Sequence, residues 1–63
     1  MLSDKDIQDV LNGEAYIEYI GNLYFYAGNE DGYRIFQSMN DDSSILCTDI
    51  HLKNDNSFTA WRR

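Results

Sequence analysis

Three side chains of the types used in nucleophilic catalysis stand at alternate positions in the second half of the chain. Cys47, Asp49 and His51 supply a thiol, a carboxylate and an imidazole, which together can form an activated nucleophile. We predict a strand over about residues 45–52, which places the three side chains on one face. Neighbours at i and i+2 of a strand are about 6.5 to 7 Å apart along the backbone, too far for the hydrogen bond that activates a thiol. The spacing therefore favours a packed cysteine and a surface histidine over a catalytic site.

Two pairs of adjacent acids are the next candidates for chemistry. Glu30-Asp31 and Asp41-Asp42 could act as general acid and base only in a pocket that separates their pKa values. Both pairs lie in turn sequences rich in Gly, Asn and Ser, where carboxylates cap turns and stay solvated. One cysteine and one histidine also lack the ligand spacing of a zinc site, and no segment matches a calcium loop. We expect no enzyme activity, no metal and no cofactor.

The balance of charge restricts the kind of partner. The 63 residues include 5 Lys and Arg against 11 Asp and Glu, a formal net charge of -6. Direct binding to nucleic acid or to anionic membranes relies on basic patches, so this balance argues against both. Carboxylates on a small domain instead create a field that attracts basic grooves of other proteins. Without a membrane-length apolar run or a secretion signal, the sequence predicts a cytoplasmic protein.

Aromatic residues are the second kind of surface candidate. Five tyrosines and one tryptophan are more than the thin core of so small a domain buries with satisfied hydroxyl groups. Tyrosine is frequent at protein interfaces, and Tyr19, Tyr24 and Tyr26, with Tyr33 as a further candidate, indicate a contact surface. Cross-strand aromatic pairs also stabilise hairpins, so a role within the sheet stays open, as does stacking on carbohydrate.

The elements that must position these residues begin with a helix. Ser3 is a suitable N-cap, Asp6 stands at the capping-box position, and Asn12-Gly13 provides a stop. Apolar residues follow at helical spacing between these signals. The pattern predicts a helix over about residues 4–12, which is too short to be stable alone and must pack on the rest of the chain.

Strand and turn patterns alternate after the helix, without any proline. The two-residue loop Gly21-Asn22 predicts a β-hairpin. We therefore predict one α+β domain over residues 1–63, in which the short N-terminal helix packs on a small antiparallel β-meander of four to five strands. The predicted strands cover about residues 14–20, 23–27, 33–39, 45–52 and 57–62.

The predicted hairpin register sorts side chains onto two faces of the sheet. With Ile20 opposite Leu23, one face carries these two residues and Phe25, while the other carries Tyr19, Tyr24 and Tyr26. We expect the helix to cover the first face, which leaves the tyrosine face less covered. The remaining predicted core residues are Leu2, Ile7, Val10, Leu11, Ile35 or Phe36, Leu46, Ile50, Leu52 and Phe58.

The short acidic chain with a tyrosine-rich sheet resembles the inhibitor proteins that phages make against bacterial nucleases. This class includes anti-CRISPR proteins, anti-restriction proteins and uracil-DNA glycosylase inhibitors, and the resemblance lies in size, charge and composition. It implies a DNA mimic that occupies the basic nucleic-acid channel of its target in the bacterial cytosol and blocks substrate entry.

We therefore predict a non-enzymatic acidic inhibitor that binds the basic groove of a nucleic-acid-processing protein, such as a CRISPR effector or nuclease. The alternative is a small self-associating structural or regulatory adaptor, in which a homodimer buries the tyrosine face. The predicted partner-binding residues are Tyr19, Tyr24, Tyr26, Glu30, Asp31, Asp41 and Asp42.

Overall fold

Two helices and five strands make up the computed structural model, which describes residues 1–63. The predicted α+β class, with an N-terminal helix on a small antiparallel sheet, is confirmed. The elements in chain order are α1 (Asp4–Leu11), β1 (Ala15–Tyr19), β2 (Asn22–Glu30), β3 (Tyr33–Ser38), β4 (Ser44–Cys47), α2 (Asp49–Asn54) and β5 (Phe58–Arg62).

The first helix begins where the sequence predicts. The Ser3 hydroxyl accepts a hydrogen bond from the Asp6 backbone N–H at 3.0 Å, and the Asp6 carboxylate accepts one from the Ser3 N–H at 3.1 Å. This reciprocal pair is a capping box, which satisfies two backbone donors that the first turn leaves free. Ile7 and Val10 are buried against the sheet.

The sheet has the strand order β4-β3-β2-β1-β5. The first four strands form the predicted antiparallel meander, whereas β5 returns to the opposite edge and pairs with β1. Ala15 faces Arg62 and Tyr19 faces Phe58 in this last pairing. The position of β5 beside β1 brings residues from both ends of the chain into one sheet.

The first hairpin turns one residue earlier than predicted. Its loop is Ile20-Gly21, so Tyr19 pairs with Asn22 and Ile17 with Tyr24, and the predicted pairing of Ile20 with Leu23 is wrong. Ile20 and Gly21 have φ values of 47° and 81°, the left-handed pair that a type I′ turn requires. Glycine then occupies the second central position, as in the favoured Asn-Gly turns. The correction shifts the register by two residues and leaves the composition of the two faces unchanged.

The second strand is longer than the predicted 23–27 because the turn after it is shorter. It runs to Glu30, with a β-bulge between Tyr26 and Gly28, and the turn itself consists of Asp31 and Gly32 at φ values of 50° and 82°. Asp-Gly is a favoured type I′ pair, so the strands continue up to it. The other glycine of the predicted turn, Gly28, belongs to the bulge.

The predicted strand over 45–52 is wrong in its second half. Strand β4 ends at Cys47, and α2 begins after Thr48, whose hydroxyl accepts a hydrogen bond from the His51 N–H at 3.1 Å. Threonine is a good N-cap, and Asp49 favours the first turn of a helix. Only Leu52 of this helix is buried, so the segment carries almost no apolar periodicity.

The helices cover the face opposite to the predicted one. Tyr24 is 5% exposed and Phe36 is 0% exposed, whereas Ile20 is 74% exposed and Phe25 41%. The predicted burial of Leu46 and Ile50 is also wrong. The buried core consists of Leu2, Ile7, Val10, Ala15, Ile17, Tyr24, Phe36, Cys47, Leu52 and Phe58.

Candidate functional site

The side of the sheet that the helices leave uncovered is the candidate site. Its apolar side chains come from all five strands, and Phe25, Leu46 and Trp61 are 41%, 50% and 52% exposed. Cross-strand pairing joins Tyr16 to Trp61 and Ile35 to Leu46 on this side. We call the open face the set Tyr16, Glu18, Leu23, Phe25, Tyr33, Ile35, Leu46 and Trp61.

One hydrogen bond orders the β5 side of the open face. The indole Nε1–H of Trp61 donates to Oε1 of Glu18 at 2.7 Å. A tryptophan anchored by its polar edge presents its ring with little loss of side-chain freedom on binding. The open face therefore has a fixed aromatic group beside a carboxylate that pairs with no cation.

Charge is distributed unequally around the sheet. Ion pairs link Lys53 to Asp4, Arg62 to Asp6 and Asp9, Lys5 to Asp9, and Arg34 to Asp49. Every one of these pairs involves a carboxylate of α1 or α2, and Arg63 is the only Lys or Arg outside them. Asp55 contacts His51, and the carboxylates that contact no basic side chain are Glu14, Glu18, Glu30, Asp31, Asp41 and Asp42.

The structure places the two predicted acid pairs at opposite ends of β3. Glu30 and Asp31 are exposed at the β2–β3 turn, while Asp41 and Asp42 are exposed in the loop before β4. Six residues of strand separate them, a distance on the order of 20 Å. They do not form one cluster; they lie beyond two ends of the sheet. The Asp41 carboxylate accepts hydrogen bonds from Ser43, which lower the pKa of Asp41 below its usual value.

The three predicted contact tyrosines belong to the core side instead. Tyr24 is buried, and the ring of Tyr19 stacks on Phe58 with centroids 4.5 Å apart. The hydroxyl of half-buried Tyr26 donates to Oδ1 of Asn29 at 2.7 Å. A tyrosine ring can thus be buried while its hydroxyl finds a partner at the sheet margin, which is why the count of tyrosines did not identify the exposed face.

The residues of nucleophilic type are engaged in other contacts. Cys47 is buried, and desolvation raises the pKa of its thiol. The Arg34 guanidinium donates to both carboxylate oxygens of Asp49, at 2.6 and 3.2 Å, and lowers the pKa of that carboxyl. Nε2 of His51 lies 3.2 Å from Oδ2 of Asp55. No three His, Cys, Asp or Glu side chains come together in a group that could hold a metal ion.

A cavity opens where β1 and β2 separate. Their pairing is limited to three residue pairs and ends at Ile17 and Tyr24, so Ala15 and Tyr16 have no partner on β2. The resulting space has a volume of ≈ 490 Å³, and mostly apolar side chains line it. They include Val10 and Leu11 of α1, Tyr16 and Phe25 of the open face, and Tyr26, Met39 and Arg63.

No protein-family model, no curated protein and no solved structure matches this chain. Neither helix has the length and apolar character needed to cross a lipid bilayer. The function therefore has to be argued from the open face, the unpaired carboxylates and the cavity.

Sequence reasoning assigned Leu23, Phe25 and Leu46 of the open face to the core, whereas Tyr33, a candidate contact residue, does lie on the open face. Strand alternation groups Leu23 with Phe25, and the structure keeps that grouping. A second signal was available in the size of the residues on the other side of β1 and β5. Ala15 and Ala60 are small enough for a helix to approach, whereas Tyr16 and Trp61 are not.

Proposed function

We propose that the protein acts without catalysis, as a stoichiometric binder that covers a basic surface of another protein with its open face. The observation that carries this proposal is an apolar sheet face left without any covering element. Exposed apolar groups from five neighbouring strands favour a protein interface, because scattered single residues would not form one patch.

Charge supports a foreign partner over a second copy. Glu18 lies on the open face, and Glu30 and Asp42 lie at its ends without ion pairs. Two copies packed through this face would bring the same carboxylates together, which costs free energy. A partner whose apolar patch is surrounded by Lys and Arg satisfies both features. This pattern suits a protein that handles nucleic acid, so we propose an inhibitor of such a protein as the specific form of this function.

The acidic groups contribute differently from those of a continuous DNA mimic. The helix carboxylates Asp4, Asp6, Asp9 and Asp49 are neutralised by the chain's own cations. The unpaired carboxylates border the open face at separate points. We infer that the apolar centre supplies most of the binding free energy, while the carboxylates steer association and select basic partners.

Matched variants test the role of the apolar centre. Ile35→Thr with Leu46→Thr removes two apolar cross-strand neighbours from the open face and places threonine, a residue of high strand propensity, at both positions. Ile50→Thr is the control, since Ile50 is an exposed apolar residue on α2. Proteins captured from a bacterial lysate by the wild type and by Ile50→Thr, but not by the double variant, support the proposal. Capture that is equal for all three proteins contradicts it.

A second matched pair tests the charge. Asp42→Asn and Gln8→Lys both raise the net charge by one, but only Asp42 borders the open face. We expect Asp42→Asn alone to slow association with the captured partner at low salt and to weaken the salt dependence. Equal effects from both variants would leave no role for charge at the open face.

Measurements of stoichiometry and of self-association distinguish an inhibitor from a self-associating adaptor. An inhibitor abolishes the nucleic-acid-processing activity of the captured partner at a molar ratio near one, and excess DNA or RNA competes with it. Light scattering tests the alternative of a self-associating adaptor, because it measures the mass of the protein in solution. If the wild type is a homodimer and the double variant Ile35→Thr with Leu46→Thr is a monomer, the proposal of a foreign partner is overturned.

A further inference from the structure

A guanidinium group lies at the wall of the cavity between β1 and β2. Cζ of Arg63 lies 5.3 Å from the centroid of the Tyr16 ring, within the range of a cation–π contact. Nη1 of Arg63 donates a hydrogen bond to the backbone oxygen of Gly13 at 3.0 Å. Arg63 is also one of the residues that line the cavity.

Several groups make this cavity suitable for a cation. Helix α1 ends here, at Asn12 and Gly13, and the last turn of a helix carries partial negative charge. Its last turn contains no basic residue of its own. Tyr16, Phe25 and Tyr26 line the same space, and the Tyr16 ring has its face toward the Arg63 guanidinium. The excess of carboxylates in the chain adds to the attraction for a positive group.

Arg63 is held here more weakly than the other cations are held elsewhere. Lys5, Lys53, Arg34 and Arg62 each form an ion pair with a carboxylate, whereas Arg63 has only a ring and a backbone carbonyl. Its side chain is exposed, so leaving the cavity breaks no buried charge pair. A second guanidinium can therefore replace it without loss of an ion pair.

We propose that this cavity binds an arginine side chain of the partner protein, and that the bound arginine displaces Arg63 from the ring of Tyr16. The inference rests on the proposed function, because Tyr16 and Phe25 belong both to the cavity and to the open face. It adds an anchor to that function. The apolar centre excludes water, and an arginine from the basic surface inserts beside the end of α1.

The test uses a capped single residue and needs no partner. N-acetyl-arginine amide is titrated into the protein, and the backbone NMR signals of Gly13, Ala15 and Tyr16 are followed. N-acetyl-citrulline amide has nearly the same shape without the charge. We expect saturable shifts at these signals with arginine and much weaker ones with citrulline; equal shifts with both compounds, or none, would overturn the proposal.

Two variants separate displacement from simple surface binding. Arg63→Gln removes the internal competitor and is expected to strengthen binding of the arginine probe about two- to fivefold. Tyr16→Leu removes the ring and is expected to weaken it by a similar factor. Ile50→Thr, at an exposed position of α2 outside both the cavity and the open face, is the control and leaves binding unchanged.

An NMR spectrum of each variant shows whether the variant is folded. Tyr16 is only half-buried and Arg63 is exposed, so both variants are expected to keep the dispersed NMR spectrum of the wild type. Unchanged arginine binding in Arg63→Gln contradicts displacement, even if Tyr16→Leu were unfolded. The proposed function and the cavity can fail separately. If the double variant Ile35→Thr with Leu46→Thr loses partner capture but the wild type does not bind the arginine probe, the proposed function is supported and the role of the cavity is contradicted.

Discussion

The two sides of the sheet contain similar numbers of large apolar residues, yet the helices cover only one of them. On the covered side, Phe36 and Phe58 are almost completely buried. On the open face, Phe25 and Trp61 keep about half of their surface in solvent. The difference teaches that strand hydrophobicity does not decide where a helix packs. The contact of α1 with β1 includes the small residue Ala15, which is buried in the same cluster as Ile7 and Val10, and a bulky side chain there would hold the helix away.

Charge follows the same division. The covered side includes ion pairs such as Arg62 with Asp6 and Asp9, both at 2.8 Å, which tie β5 to α1. The Ser3 N–H, followed by Arg62, lowers the pKa of Asp6. The open face and its ends keep carboxylates that pair with no cation. One side thus uses its charges in ion pairs within the fold, and the other keeps its carboxylates unpaired.

The largest test of this comparison removes one phenylalanine from each side. Phe36→Ala creates a cavity in the core and is expected to cost about 3–5 kcal/mol in unfolding free energy, enough to leave so small a domain largely unfolded. Phe25→Ala, on the open face, is expected to cost about 1 kcal/mol or less. Urea denaturation followed by circular dichroism measures both. Equal losses would mean that the open face is buried in solution.

A smaller expected effect concerns the contribution of the first hairpin turn to the free energy of unfolding. Ile20 is a β-branched residue at a φ of 47°, a conformation that such side chains rarely adopt. Ile20→Asn places the favoured Asn-Gly pair in this type I′ turn and is expected to raise the unfolding free energy by about 1 kcal/mol.

Ile50→Asn is the control for that substitution. It also replaces an exposed apolar residue, but in α2, where no positive φ is relieved. We therefore expect no gain in the urea midpoint. A gain in this variant equal to that of Ile20→Asn would attribute the effect to solubility instead of the turn.

The smallest expected effect concerns the pH dependence of the covered side. Arg34 lowers the pKa of Asp49, so this pair stabilises the fold above the ordinary carboxyl pKa of about 4, and that contribution is lost as pH falls through the lowered value. Both side chains are partly exposed, so Asp49→Asn is expected to cost only about 0.2–1 kcal/mol at neutral pH.

The difference between wild type and Asp49→Asn is expected to shrink as the pH falls from about 4 through the lowered pKa of Asp49, because protonation then removes the charge that pairs with Arg34. Urea midpoints at neutral and acidic pH measure it. Asp42→Asn is the matched control, because Asp42 forms no ion pair and its loss is expected to leave the midpoint unchanged. A constant difference across pH would show that the Arg34 pair does not stabilise the fold.

Short sequence motifs predicted correctly those elements whose boundaries depend only on neighbouring residues. The capping box at Ser3 and Asp6 fixed the start of α1, and alternating strands separated by glycine turns indicated the meander. Helix α2 was missed because a single buried residue, Leu52, gives no periodicity, although Thr48 was a readable N-cap.

The candidate site was harder to predict because it depends on which face of the sheet the helices cover in the tertiary structure. Alternation defines two faces but does not say which one a helix covers, and either choice satisfies the pattern. The tyrosine count favoured the wrong side, since Tyr26 is partly buried with its hydroxyl bonded to Asn29. The cavity depends on where the pairing of β1 with β2 stops, which no local signal specifies.

The position of β5 has a consequence for how the protein comes into being in the cell. Strand β1 gains its second neighbour only from the last strand, and the Met1 ammonium donates a hydrogen bond to the Phe58 backbone oxygen at 3.0 Å. Early-synthesised segments therefore lack Phe58 and half of their strand pairing while translation continues. We expect the polypeptide to stay largely unfolded until β5 has been synthesised and can pair with β1, and then to fold in a single concerted step.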